Sequence, residues 1–425
     1  MKNFLFKFAL LYFILILDFA PFNWLGSIPG IGLLNEYYFQ SEAFLVQLFN
    51  TYFFHIADQL NFDGAGSGDT SYAWARFYSI IIISLLVSFC WTIAAKKHQG
   101  NARLAYALRN GLRYYIALVA FSYGIIKVFA LQMPFPSLSQ LATPLGDFLP
   151  MRLSWMFLGY SKIYQTFSGV MEILVCLLLF NRKTITAGLI LGLAVFSNVF
   201  ILNLSYDIPV KLYSFQLLTA CLYLVAEDGK RLISLFGFNS EVGKNVLYEN
   251  HFSFRFYKVT RIVFKTIFLI LFMILPTREA FNWSNRVAES GSNLPFYTGQ
   301  YLIDSYVLNG DTVLISASDS KLWHDLILDK GQTGSIQTTD SLFVNRYGRG
   351  YFIYKMDSNI QRISFTKSAS DSTILFSLNC SFSDSSALHL WGNVRSDSVD
   401  YRFVKSNRDF QLTERQFHWI SESNR

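Results

Sequence analysis

Glu172 stands in the middle of an apolar run, GYSKIYQTFSGVMEILVCLLLF (159–180). Ser161, Tyr164 and Ser168 precede it, and the spacings of 3, 4 and 4 put all four on one helical face. A carboxylate at membrane depth is costly unless it is paired, hydrogen-bonded or protonated. Two readings follow: a proton carrier or ligand contact, and an interhelical hydrogen bond to a Ser, Thr or Asn. Lys127 lies in a second apolar run, YYIALVAFSYGIIKVFALQM (114–133), four residues after Tyr123. It either snorkels to the interface or faces inward as a polar anchor.

Lys211 closes the turn SYDIPVK (205–211) between two further apolar runs. Asp207 reads as an N-cap for the helix that follows, and Pro209 suits its first turn. A cation in that first turn opposes the helix dipole. Either Asp207, at i−4, compensates it, or the ammonium points into the bundle towards Glu172 or a ligand. Asn203 lies beside the turn, with Asn198 deeper in the same run. Glu172, Tyr164, Lys127 and Lys211 together offer the few polar anchors that an apolar slot for a quinone requires.

These residues are carried by a chain of 425 residues that is 52% hydrophobic and 15% charged. Soluble domains carry roughly 25% charged residues, so several membrane helices are expected. Seven candidate spans fall near 4–25, 77–95, 114–132, 158–180, 184–204, 211–227 and 261–277. Gly188 and Gly192 form a small-residue face in the fifth. Lys2, Lys7, Lys96, Lys97, Arg103, Arg109, Arg113, Arg182, Lys183, Lys230, Arg231, Lys244, Arg255, Lys258 and Arg261 gather on alternate loops. The positive-inside rule then puts the N-terminus in the cytoplasm, and SYDIPVK and everything after 277 on the outer face. The net charge of +7 is thus a matter of topology, and no basic face with interleaved aromatics suggests nucleic acid.

The outer loop 27–75 has helical apolar spacing and is expected to lie along the membrane surface. It ends in GAGSGDTSY (64–72), read as a flexible turn or an anion cradle without the Walker lysine. Loop 134–157 holds Pro134, Pro136, Pro144 and Pro150, which forbid one long helix. From about 295 the pattern changes to short alternating runs, YLIDSYVL, TVLIS, LWHDLILD, SLFVNRY, YFIYKM, QRISFTK, STILFSLNCSF, ALHLWGNV and SVDYRFVK, separated by turn signals, which predicts an all-β sandwich or barrel. LTERQFHWISESNR at the end starts as a helix. Cys90, Cys176 and Cys221 read as small buried hydrophobes and Cys380 as a strand residue. No histidine falls in an expected span, so no haem or membrane metal site is expected.

Segments YGIIKVFALQMPFPS, LATPLGDFLPM, WMFLGYSKIYQTFSGVMEILVCLLLF, NRKT, NVFILNLSYDIPVK and LLTACLYLVAED carry a resemblance to the DoxX family of bacterial inner-membrane proteins. A subgroup with a GSGDT-bearing outer loop, here Gly66 to Thr70, is more similar still, and SNRDFQLTERQFHWISE resembles an extension found in some members. The resemblance implies a four-helix membrane core in spans three to six. It implies links to redox and detoxification complexes, and no family-wide catalytic set. Gly146, Asp147, Tyr164, Gly169, Glu172, Asn203, Tyr206, Asp207, Pro209 and Lys211 fall on the family's recurring polar and turn positions.

The expected organisation is therefore an N-terminal membrane region (1–113), a DoxX-like core (114–236), a cytoplasmic loop with a last span (237–277) and a periplasmic β domain (278–425). The expected function is a redox-associated inner-membrane protein that binds quinone or lipid and meets a protein partner through 295–425. The alternatives are a non-enzymatic envelope scaffold and a lysine-base enzyme, the latter because a bundle followed by an outer β domain resembles the vitamin K-dependent carboxylases. A small-solute transporter is disfavoured, since the spans show no duplicated broken-helix pattern.

Overall fold

The computed structural model describes residues 2–17, 31–63, 66–95, 102–243, 255–292, 294–315, 322–341, 343–357, 361–367, 373–383, 386–414, 418–420 and 422. Residues 18–25 of the first expected span, and Lys96, Lys97 and Lys244, lie outside them. The chain divides into two compact units, one of residues 1–133 and 161–281, the other of 134–160 and 282–425. Segment 134–160, which the sequence places inside the DoxX-like core range, thus groups with the β region.

The first unit is helical: α1 (Lys2–Ile16), α2 (Ile31–Phe49), α3 (Ser71–Ala94) and α4 (Ala102–Val128) come before the interruption. Within the second unit, α5 (Leu138–Leu141) and α6 (Pro150–Tyr160) flank a 3-10 turn, Leu145–Asp147, the broken path that the prolines require. The helical unit resumes with α7 (Lys162–Phe180), α8 (Ile185–Ser205), α9 (Lys211–Glu227), α10 (Gly229–Leu232) and α11 (Arg255–Leu269). A π-turn at Ile270–Ile274 joins α11 to α12 (Leu275–Ser292).

Helices α4, α7, α8 and α9 pack in a cycle: α4 on α7, α7 on α8, α8 on α9 and α9 on α4. Their shared core holds Ile116, Ala117, Ala120, Val175, Cys176, Leu179, Ala220 and Cys221. Gly188 and Gly192 are buried on α8. The opposite face of α7 leaves Phe167, Val170 and Leu177 exposed. Apolar side chains on both faces are found on helices buried in a larger protein or crossing a membrane.

Among the described residues, five helices are long and apolar enough to cross a membrane: Ser71–Ala94, Ala102–Val128, Lys162–Phe180, Ile185–Ser205 and Thr266–Ser290. α9, with 17 residues, and the apolar α1, with 15, are shorter. The last of the five lies later than the expected 261–277. Helix α2 confirms the helical spacing of the 27–75 loop and packs through Val46 onto Tyr72 and Ala75. Of the cysteines, Cys176, Cys221 and Cys380 are buried, but Cys90 is exposed on α3, against expectation.

The β region is a barrel rather than a sandwich. Its strands are β1 (Gly299–Leu308), β2 (Asp311–Thr312), β3 (Asp325–Leu328), β4 (Thr333–Gln337), β5 (Gly350–Asp357), β6 (Arg362–Thr366), β7 (Ile374–Ser383), β8 (Ala387–Val394) and β9 (Asp397–Lys405). Every neighbour is antiparallel, and β9 returns to pair with β1 from Val399–Leu308 to Lys405–Tyr301. Eight strands close the barrel, while two-residue β2 only extends the end of β1. Closure removes the exposed edges that a sandwich would leave. A last short helix, α13 (Gln411–Glu414), starts the C-terminal segment where LTER was expected to.

Three sequence expectations fail here, the first being TVLIS, of which only Thr312 lies in a strand among the described residues. SLFVNRY is not a strand: Val344 and Asn345 belong to a turn region bridged at Arg346–Arg349. TGSIQ, unassigned from sequence, is β4, with Gly334, Ser335 and Ile336 all buried.

Candidate functional site

Most of the polar residues singled out in the helical unit fall into two clusters. The first sits where α4 crosses α7. Gly124 and Gly169 meet there: a methyl group on Gly169 would lie 2.7 Å from the Val128 amide nitrogen and 2.8 Å from Lys127 Cβ. Only glycine permits so close an approach. The helices run antiparallel, since Thr166 Oγ1 bonds the Val128 carbonyl (3.1 Å) while Phe180 meets Tyr114 (5.7 Å between rings). Helical side chains lean towards the N-terminus of their own helix. Lys127 and Glu172, each three residues past its glycine, therefore lean towards the same level and form an ion pair. Lys127 is 7% exposed and Glu172 2%. Glu172 Oε2 has no hydrogen-bond partner.

Lys127 thus does not snorkel, and the partner of Glu172 is an ammonium rather than a Ser, Thr or Asn. The expected stripe also shifts. Ser161 is the N-cap of α7, accepting from the Tyr164 amide (3.2 Å), and Tyr164 is exposed. The buried face is Gln165, Gly169, Glu172 and Cys176. Gln165, not singled out from sequence, clamps the Met133 backbone at both its amide (3.0 Å) and its carbonyl (2.9 Å).

The second cluster is the turn before α9. Asp207 is not the cap: it has φ 49° and a carboxylate 81% exposed, and Pro209 lies before α9 rather than in its first turn. The N-cap position is Val210, whose side chain caps nothing. The capping carboxylate is Asp69, 142 residues away in sequence, which accepts from the Lys211 amide (2.8 Å) and the Leu212 amide (3.0 Å). Gly68 donates to the Pro209 carbonyl (2.7 Å), and Thr70 caps α3 by accepting from Ala73 (3.1 Å). GSGDT is therefore a clasp between helices, neither a loose turn nor an anion cradle.

Lys211 Nζ pairs with Asp207 (2.7 Å) and approaches Asp69 (3.6 Å), so its charge at the helix start is balanced locally and does not meet Glu172. Asn203 is buried and donates to Ser214 Oγ (2.9 Å), tying the turn to α9.

Asp147 belongs to the β unit, exposed beside Gly348, with its carboxylate 3.3 Å from the place a Cβ on that glycine would take. The expected site residues therefore do not form one constellation. They form a helix-crossing pair (Lys127, Glu172), a turn cluster (Asn203, Asp207, Lys211) and two separate exposed positions (Tyr164, Asp147).

Within the β unit, segment 134–160 is clipped to the barrel. Asp329 accepts from the Leu138 and Ser139 amides (3.3 and 3.0 Å), and Arg152 donates to the Tyr347 hydroxyl at 2.5 Å. Tyr354 donates to the Asp329 carbonyl (3.1 Å), and burial pushes its hydroxyl pKa up. A buried pair, Asp325–Arg349, is tied on all sides: Arg349 Nε donates to Ser335 (2.9 Å), and Asp325 accepts from Gln300 (2.9 Å) and the Gln337 amide (3.0 Å).

The barrel also opens into a cavity of about 210 Å³ at the end where β1, β4 and β8 finish. Its wall includes a stack of three rings, Tyr306 on Tyr401 (4.8 Å) and Tyr401 on Trp323 (4.7 Å). Its polar members are Asp340, Arg395 and Asp397. Nothing in the sequence pattern marked this cup, because its lining comes from four separate strand ends and loops.

Together these features define a protein class: a bundle of apolar helices joined to an eight-stranded antiparallel barrel. Comparison with known proteins gives a relative for part of it. Over 140 residues the chain is 30% identical to the "Uncharacterized protein YwoB" of Bacillus subtilis (strain 168), a match covering 89% of that protein and 32% of this one. The chain belongs to the family of that protein. No protein-family profile matches the chain, and no solved structure does.

Proposed function

We propose that the chain is a DoxX-type integral protein of the bacterial inner membrane, with a cytoplasmic N-terminus, whose helical unit anchors a periplasmic binding barrel. The single observation that carries this reading is where the charges go. Lys127, Glu172, Lys211 and Asp69 are held in ion pairs or helix caps within the helical unit. The barrel also pairs Arg395 with Asp340, but it does so beside a cavity of about 210 Å³. Ion-paired lysines also speak for a binding or scaffold role over a lysine-base enzyme, since a base needs an accessible lone pair. The exposed apolar faces of α7 and of the other long helices support the membrane setting.

The test is complementation in a deletion strain with a scored envelope phenotype. Lys127→Met with Glu172→Leu removes both helical charges together and is expected to retain function. Val399→Trp, which fills the cup, is expected to lose it. The reverse pattern would place the working part in the helices.

A second reading, quinone or lipid among the helices, is favoured by one atom, Glu172 Oε2, buried without a hydrogen-bond partner. It requires that a quinone analogue raise the melting temperature of the purified chain, and that Glu172→Gln abolish the rise.

A further inference from the structure

The described residues bury four cations, Lys7, Arg113, Lys127 and Arg349, each 7% exposed or less. Three of them meet oxygen. Lys127 meets Glu172, Arg349 meets Asp325, and Lys7 donates to the Trp91 carbonyl (3.1 Å). Arg113, on α4, is the exception: it is 6% exposed, and its Nε has no hydrogen-bond partner. Its guanidinium lies 4.6 Å over the Tyr114 ring. No carboxylate among the described residues pairs with it. The two at the end of α9 are taken, Glu227 by Arg109 (2.8 Å) and Asp228 by Arg231 (2.9 Å) and Thr186 (3.1 Å).

A guanidinium keeps its proton even inside a protein, so it does not shed its charge as a buried lysine can. A buried charge without a counter-charge is strongly unfavourable, and a ring face offsets only part of that cost. The charge therefore calls for an anion from outside the described chain. We propose that Arg113 anchors a phosphate, either that of a lipid head group or a free phosphate ion. The site lies in the helical unit and is independent of what the barrel binds.

Two features choose phosphate among anions. The first is shape. One face of the guanidinium lies on Tyr114, which leaves its edge, and the N–H groups along that edge form a fork that fits two oxygens of one phosphate. The second is level. Tyr114 meets Phe180 (5.7 Å between rings), and Phe180 is the last residue of α7. The turn to α8 follows at once and exposes Arg182 and Lys183. In the membrane setting proposed above, this is the cytoplasmic boundary of the hydrocarbon, where basic sites between helices hold lipid head groups. Phosphate is the oxyanion that every phospholipid brings to that level.

The experiment uses the full chain, delipidated in a polyoxyethylene detergent. Its melting is followed with phosphatidylglycerol, with diacylglycerol of the same acyl chains, and with inorganic phosphate. Phosphatidylglycerol is expected to raise the melting temperature by about 3 °C or more, and diacylglycerol to leave it unchanged. If inorganic phosphate reproduces the rise, the site takes the free ion. If it has no effect while phosphatidylglycerol acts, the site takes the lipid head group. Arg113→Met is expected to weaken phosphatidylglycerol binding by about tenfold or more. Without lipid, the same variant should melt at or above the wild-type temperature, because it removes a buried charge. An arginine with a purely structural role would give the opposite sign. Arg113→Lys keeps the charge but loses the fork, and should also weaken binding. Lys183→Gln removes an exposed cation and should change binding by less than about twofold.

The inference is overturned if neither phosphatidylglycerol nor inorganic phosphate shifts the melting temperature, if diacylglycerol shifts it equally, or if the shift survives Arg113→Met. It is also overturned if Arg113→Met melts below wild type without lipid, which would show that the chain balances the charge by itself. A rise with decanoate equal to that with phosphatidylglycerol would overturn the assignment to phosphate.

Discussion

Each unit buries one ion pair, and the two pairs are built differently. In the barrel, Arg349 faces Asp325 through two guanidinium nitrogens, and Ser335, Gln300 and the Gln337 amide complete the network. In the helical unit, one ammonium meets one carboxylate oxygen and the other oxygen stays unpartnered. A fork matches a carboxylate in a fixed geometry, whereas an ammonium is a point charge on a flexible stem. The barrel pair is thus knitted into strand pairing, while the helical pair sits beside a glycine crossing of two helices.

This difference can be broken by experiment, and the largest effect belongs to the barrel. Arg349→Met leaves Asp325 charged and buried, and is expected to cost about 3–5 kcal/mol in unfolding of the full chain followed by near-UV circular dichroism. Replacing both partners, Arg349→Met with Asp325→Leu, should not restore stability, because Ser335, Gln300 and the Gln337 amide lose their partners at about 1–3 kcal/mol each. The helical pair should behave in the opposite way. Glu172→Gln alone is expected to destabilise by about 3 kcal/mol, and Lys127→Met with Glu172→Leu to return to wild-type stability or exceed it. A double variant as damaged as the single would show that the helices depend on the charge itself.

Gly169→Ala comes next. Its methyl group would press on Lys127 Cβ and the α4 backbone, for an expected loss of about 1–3 kcal/mol. Last is the clasp. Asp69→Ala removes the cap of α9, at about 0.5–2 kcal/mol. Asp207→Ala removes an exposed pair and should change the melting curve by no more than about 0.5 kcal/mol. If Asp207 outweighed Asp69, the turn rather than the clasp would hold α9.

What could be read from sequence followed local periodicity. The apolar runs marked the helices, and the alternation marked β1, β3 and β5 to β9. β4 was not legible, because TGSIQ has one large apolar residue and its burial comes from small side chains under close strands. The Ser161–Glu172 stripe was misread by half. Polarity suggested the face, but at a close crossing the glycines choose it, and Glu172 was the residue common to both. Asp69 was invisible as a cap because no local rule joins it to a helix 142 residues later. The cup has the same character, since its ring stack joins positions 306, 323 and 401.

The pairing of β9 with β1 has a consequence in time. Tyr301 pairs with Leu326 on one side, but on the other its partner is Lys405, so about a hundred residues must emerge before the ring of strands can shut. Chains emerge at roughly 5–20 residues per second, and pairings this distant in sequence form late. Until then β1 presents an open edge on one side, and the aromatic stack lacks its middle ring, Tyr401. The nascent domain therefore passes through a stage, lasting on the order of seconds, in which the open edge of β1 and the rings of the unfinished core are both uncovered. A chaperone that meets the nascent chain would have that stage as its natural target.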